Sequence, residues 1–175
     1  MGKLMLLVLS LWVLAATSCG KKDNLAELIN KQIDSLSHNM TLSANPLQLL
    51  RLKTNISDFT LKYPDDKQNA KYLFELARIH QSRGEYTEAL TALDKLLKDY
   101  ADSKEAGMSV FMQGFIYANL TMDLAKAKEK YELYLRKYAH ENEKMAHDVK
   151  LELENLGKTP DEIFKEIQAK MDSAK

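Results

Sequence analysis

An all-α fold is what this chain predicts, and three observations predict it. Only three prolines and six glycines interrupt 175 residues, while Ala, Leu, Lys and Glu, all good helix formers, are prominent in the rest. Apolar side chains recur at helical spacing: Leu90, Leu93, Leu96 and Leu97 trace one helix face at i, i+3, i+6 and i+7. The third observation is an internal period. Tyr63-Pro64, Tyr100-Ala101 and Tyr138-Ala139 each close an amphipathic run, at spacings of 37 and 38 residues, and a period in that range marks stacked supersecondary units.

The N-terminus is of another kind. Lys3 supplies a positive charge, Leu4 to Leu14 is apolar apart from Ser10, and Ala15-Ala16-Thr17-Ser18 precedes Cys19-Gly20. Charge, apolar run and small residues in that order read residues 1–18 as a secretory signal peptide. The apolar run, about 13 residues, is too short to cross a ~30 Å hydrocarbon core as a helix. Cys19 is the only cysteine. Its place directly after the small residues resembles the lipobox of bacterial lipoproteins, where the cysteine becomes the first mature residue and carries the lipid. Ala16 stands where that family more often has Leu. The same residues also satisfy an ordinary A-x-A-like cleavage site at the same bond, which would leave Cys19 an unmodified thiol. A lone thiol with no disulfide partner in an exported chain favours the lipid. Residues 19–23 then read as the lipidated cysteine and a short polar tether, and residues 24–175 as the folded domain. Gly20 is not the Asp that resembles an inner-membrane retention signal. The resemblance therefore implies an outer-membrane lipoprotein facing the periplasm, with the cell surface as the alternative.

Residues 19–175 carry 24 basic and 25 acidic side chains. That balance offers no basic surplus for nucleic acid and no polybasic cluster for an anionic membrane surface. With no second cysteine, stability must come from packing.

Helix signals follow in order. Asn24 to Met40 places Leu25, Leu28, Ile29, Ile33 and Leu36 on one face, and Asn45-Pro46 opens a second helix with Leu52, Ile56 and Phe59 at core positions. Leu73-x-x-Leu76-Ala77 leads to Gly84-Glu85-Tyr86-Thr87-Glu88-Ala89. Small Ala77 and Ala89 let two antiparallel helices approach, and Gly84 suits a left-handed helix end. From Leu73 to Ala101 the pattern closely resembles a tetratricopeptide repeat.

Val110 to Ala139 is similar as a second unit, with Gly114, Tyr117, Ala127, Tyr131, Tyr134 and Leu135 in the equivalent places. Thr121 replaces the turn glycine and one residue is inserted before Ala127; Asn119, by tolerating the left-handed region, or Asp123, by capping the next helix, would serve the turn. Val149, Leu153 and Leu156 mark a further helix stopped by Gly157, and Thr159-Pro160-Asp161-Glu162 opens the last. The resemblance implies a right-handed solenoid of antiparallel helix pairs, about three to four units, with atypical end units as caps.

Chemistry-bearing motifs are missing. His38, His80, His140 and His147 are scattered, without metal-ligand spacing, and read as solvated helix residues. No nucleophile elbow, phosphate-cradling loop or dinucleotide fingerprint occurs. The expectation is a non-enzyme with no metal and no cofactor beyond the lipid on Cys19. In the repeat family the first helix of each unit lines a concave groove, which by position implies Lys71, Phe74, Arg78 and Gln81, with Ser82, from one unit. From the next it implies Met108, Phe111, Phe115 and Asn119, with Ala118. Aromatic and Met side chains beside an arginine suit protein recognition; the same residues at helical spacing also suit a packed core. The expected function is a membrane-anchored protein–protein interaction scaffold of the bacterial cell envelope, with envelope proteins as partners. The alternative is a periplasmic carrier or chaperone holding peptides or glycans in an apolar groove.

Overall fold

A computed structural model describes residues 20–37 and 45–173, and these form eight α-helices and no strand. Helix α1 covers 20–37. It is followed by α2 (Pro46–Lys62), α3 (Gln68–Ser82), α4 (Tyr86–Asp99), α5 (Ala106–Phe115), α6 (Leu124–Lys137), α7 (Glu143–Glu154) and α8 (Pro160–Ser173). Short connections make successive helices antiparallel neighbours, and the result is the all-α helical-repeat solenoid that the period predicts. Residues 1–18, Cys19 and His38 lie outside the described residues.

The ends of the helices follow local chemistry. Asn45 accepts a hydrogen bond from the Leu47 amide at 2.9 Å, with Pro46 at the first helical position. After α3 the chain turns through Gly84 at φ +74°. The Glu85 amide donates to His80 O and the Gly84 amide to Gln81 O, both at 3.0 Å, the two bonds of a Schellman motif. Before α8, Glu162 N donates to Thr159 Oγ1 at 3.3 Å while Thr159 N donates to Glu162 Oε2 at 2.8 Å, a reciprocal capping box.

The second unit solves its turn differently. Ile116–Leu120 is a π-helical turn, closed by the Thr121 amide on Ile116 O at 3.0 Å. A π turn takes up one residue more than an α-helix over the same rise, so the residue inserted in the sequence is accommodated here. Asp123 then caps α6, accepting from Lys126 N at 3.1 Å. Of the two residues expected to serve the turn it is Asp123 that does so, and the left-handed residue is Met122 at φ 56° rather than Asn119.

The repeat tyrosines stitch successive units together. Asn69, wholly buried, donates from Nδ2 to Tyr63 O at 2.8 Å and to the Tyr100 hydroxyl at 2.9 Å. One unit later the Tyr138 hydroxyl donates to Ala101 O at 3.3 Å. Tyr100, through Asn69, and Tyr138, directly, thus reach back to the turn that ends the preceding unit.

One apolar core runs from α1 to α7, with Ile29, Leu52, Phe59, Tyr72, Leu96, Val110, Tyr131 and Val149 buried in it. A smaller cluster of Ala77, Ala89, Ala92, Leu93, Met112 and Ile116 closes α3 on α4 and α5. Two expectations are corrected at the N-terminus. Residues 20–23, read as a short polar tether, are helical and form the first turn of α1: Lys22 pairs with Asp66 of the α2–α3 turn and lies 5.9 Å from the Tyr63 ring centroid. Leu28, expected on the core face, is 45% exposed, whereas Leu25, Ile29, Ile33 and Leu36 do pack inward. At the other end α8 contributes no buried residue, so the last pair is a loose one. Among the described residues no helix is long and apolar enough to cross a membrane.

Candidate interaction surfaces

Helix α3 has two distinct faces because 3.6-residue periodicity sets Lys71, Phe74, Arg78 and Gln81 on one side and Leu73, Leu76 and His80 on the other. The first is the face the repeat pattern singles out. Lys71 is exposed and its Nζ donates to Asn30 of α1 at 3.2 Å. Phe74 is half-buried and packs on both apolar clusters. Arg78 is exposed and pairs with Glu75 at 2.9 Å, while Gln81 is half-buried and Ser82 exposed.

From α5, Met108 is 39% exposed, and Phe111 and Phe115 are half-buried. The Phe111 ring lies 6.1 Å from that of Tyr131, within the range of a favourable aromatic pair. Asn119 is exposed and its Nδ2 donates to Phe115 O at 3.3 Å. With the buried Ala118 it borders a hollow formed with Met122, Leu151 and Ile163. The expected groove residues are thus a mixture of exposed polar and half-buried apolar side chains.

None of them borders the cleft on the other side of α3. That cleft, ≈ 480 Å³, lies between α2 and α4 with α3 as its floor. Ile56, Leu73, Leu76 and Ala92 give it an apolar base, and Ser57, Thr60, Thr87 and Thr91 give it hydroxyls. Sequence reasoning passed over it because its walls come from two units whose relative position no local pattern encodes. The one signal available was the pairing of hydroxyl residues at i, i+3 and i, i+4 on α2 and α4.

His80 also borders this cleft, and it corrects another expectation. It is 2% exposed, not solvated, because it follows Leu73 and Leu76 by seven and four residues on the buried face of α3. Its Nδ1 is 2.6 Å from Glu85 Oε2, and Glu85 Oε1 accepts from Arg83 Nε at 2.8 Å. Partial burial pushes the Glu85 carboxyl up, but the hydrogen bonds and charges of Arg83 and His80 outweigh it and hold it below the usual carboxylate range. His140 and His147 are exposed as expected. Among the described residues no three His, Cys, Asp or Glu side chains gather to hold a metal.

The tetratricopeptide repeat family model matches residues 71–103, that is, almost all of α3, α4 and the Gly84 turn between them. No match is found among curated proteins or among solved structures.

Proposed function

We propose that this protein is a protein–protein interaction scaffold anchored in the bacterial cell envelope by a lipid on Cys19, with its tetratricopeptide repeats presenting the α3–α5 face to an envelope protein. The repeat supports the coarser part of this reading, since such domains are in general non-enzymatic binders of protein partners. The observation that carries the finer part is the row of half-exposed apolar side chains Phe74, Met108, Phe111 and Phe115 on successive first helices, beside exposed Arg78 and Asn119. An apolar centre with a polar edge is how protein interfaces are built. Half-burial of Phe111 and Phe115 favours this flat docking face over a carrier that holds a peptide or glycan in an open trough. The anchor rests on the order of residues from Lys3 to Cys19.

Mass spectrometry of the protein from its native host, paired with membrane fractionation, tests the anchor. The expected result is a lipid-modified N-terminus at Cys19 and sedimentation with membranes, both lost in Cys19→Ala. An unmodified Cys19 on a protein that stays out of the membrane fraction refutes it. For the face, Met108→Glu with Phe115→Glu should keep the helical circular dichroism and lose the proteins that co-purify with wild type. Unchanged co-purification would exclude the α3–α5 face.

A further inference from the structure

Helix α8 is the one α-helix among the described residues that buries no side chain, yet its apolar residues are not scattered. Ile163, Phe164, Ile167 and Met171 fall in one stripe at i, i+1, i+4 and i+8. Phe164, Ile167 and Met171 are 58%, 51% and 62% exposed. A helix of 14 residues is marginal in water on its own and takes its stability from covering such a stripe.

The stripe adjoins a depression. At the N-terminal end of α8, Ile163 lines the ≈ 460 Å³ hollow that Ala118, Met122, Leu124, Leu151 and Leu156 also border. Met122, Leu124 and Leu151 are 69%, 37% and 43% exposed. Six of the eleven large apolar residues exposed among the described residues thus belong to this ridge and hollow. Taking about 150–200 Å² for a whole side chain, their exposed parts come to roughly 500–600 Å², the size of the largest patch an ordinary monomer shows. A two-fold contact requires one patch to fit a second copy of itself, and a ridge beside a hollow has that shape. Parallel pairing of two α8 helices would set hollow against hollow. Antiparallel pairing carries Met171, eight residues or about 12 Å along the helix from Ile163, over the hollow of the other copy. It also opposes the two helix dipoles. Residues 158–173 hold three lysines and four acids, so charge neither drives nor bars the contact.

We infer that this protein pairs with a second copy of itself through α8, the two helices antiparallel, Phe164 of each packed on Ile167 of the other and Met171 over the other's hollow. The two patches together remove at most about 1,000–1,200 Å² from water, the low end for a specific interface. The dimer is therefore weak, with Kd on the order of 10–100 µM, and the monomer folds without it. The pairing is independent of the Cys19 anchor, and the α3–α5 face shares only Ala118 and Asn119 with the hollow.

Sedimentation velocity on residues 19–175, with Cys19→Ser so that neither lipid nor disulfide contributes, tests the pairing. A monomer–dimer equilibrium is expected between about 5 and 200 µM. Ile167→Glu, at a position half-exposed in the monomer, should weaken the dimer about tenfold or more with the helical circular dichroism retained. Leu61→Glu, which removes an apolar side chain 80% exposed on α2, should change nothing. Spin labels at Gln168→Cys and, separately, at Ser173→Cys report the direction. Antiparallel helices place the two labels at 173 farther apart than those at 168 by roughly 10 Å, from the helix rise, whereas parallel helices give equal distances. A monomer throughout the range, a dimer indifferent to Ile167→Glu, one dissolved equally by Leu61→Glu, or equal label distances would each overturn the inference.

Discussion

Gly114 shows how one atom sets the spacing of two helices. It is buried in α5, and a Cβ placed on it would lie 2.5 Å and 2.6 Å from two ring carbons of Tyr131. That ring is itself wholly buried, and burial pushes its phenol pKa well above the ordinary value, so it has nowhere to retreat. Gly114→Ala gains about 1 kcal/mol of helix propensity but must displace a packed aromatic ring, an overpacking cost of typically 1–3 kcal/mol. The net expectation is destabilisation on the order of 1 kcal/mol, read as a lower urea midpoint with an unchanged slope. A midpoint equal to or above wild type would mean that the α5–α6 contact is looser than described. Ala77 and Ala89, both wholly buried, serve the same close approach one unit earlier.

Among the elements, the π turn Ile116–Leu120 is where the second unit departs from the first. A 38-residue spacing and a missing turn glycine were both legible as departures, but not how they would be absorbed. Local hydrogen bonding takes up the extra residue, and the chain then reverses through Met122 at φ 56°. Met122 is 69% exposed, so its side chain contributes little packing in return for its left-handed backbone. Met122→Gly is expected to stabilise the protein by on the order of 0.5–1 kcal/mol, the relief of a non-glycine residue in that region, less the greater freedom of glycine in the unfolded chain. Thermal or urea denaturation decides it. A destabilised variant would show that the Met122 side chain holds the hollow it shares with Leu151 and Ile163.

At the scale of the whole molecule the two ends differ. Helix α1 inserts Ile29, Ile33 and Leu36, each at most 5% exposed, and burial of such side chains stabilises by about 1.5–3 kcal/mol apiece. Helix α8 buries none, and Phe164, Ile167 and Met171 are more than half exposed. Its Lys158–Glu166 pair at 2.7 Å is on the surface, where such pairs are worth about 0–1 kcal/mol. Removal of residues 158–175 should therefore lower stability by on the order of 1 kcal/mol or less and leave a cooperative transition. Removal of residues 20–37 should unfold the chain or cost several times more. Cooperative collapse on losing α8 would refute the view that it is an appendage to the stack.

What could be read without coordinates is whatever depends on neighbours close along the chain: helix formation from period and propensity, the caps at Asn45, Gly84 and Thr159, and the repeat itself from Tyr63, Tyr100 and Tyr138. Core positions such as Leu52, Ile56, Phe59 and Val149 were legible for the same reason, since a helix buries one periodic face. Which polar residues go inside was not. His80, Asn69 and Gln113 are each at most 2% exposed, and each finds a partner outside its own helix: Glu85 for the imidazole, the Tyr63 turn and Tyr100 for the Asn69 amide nitrogen, and Asp94 for that of Gln113, the last at 2.6 Å. Leu28 faces outward and α8 stays uncovered for a matching reason: among the described residues no neighbour buries them. The two surfaces divide along the same line. The α3–α5 face is implied by the resemblance to the repeat family, carried over position by position, whereas the cleft lies between α2 and α4 over α3 and depends on how units pack on one another.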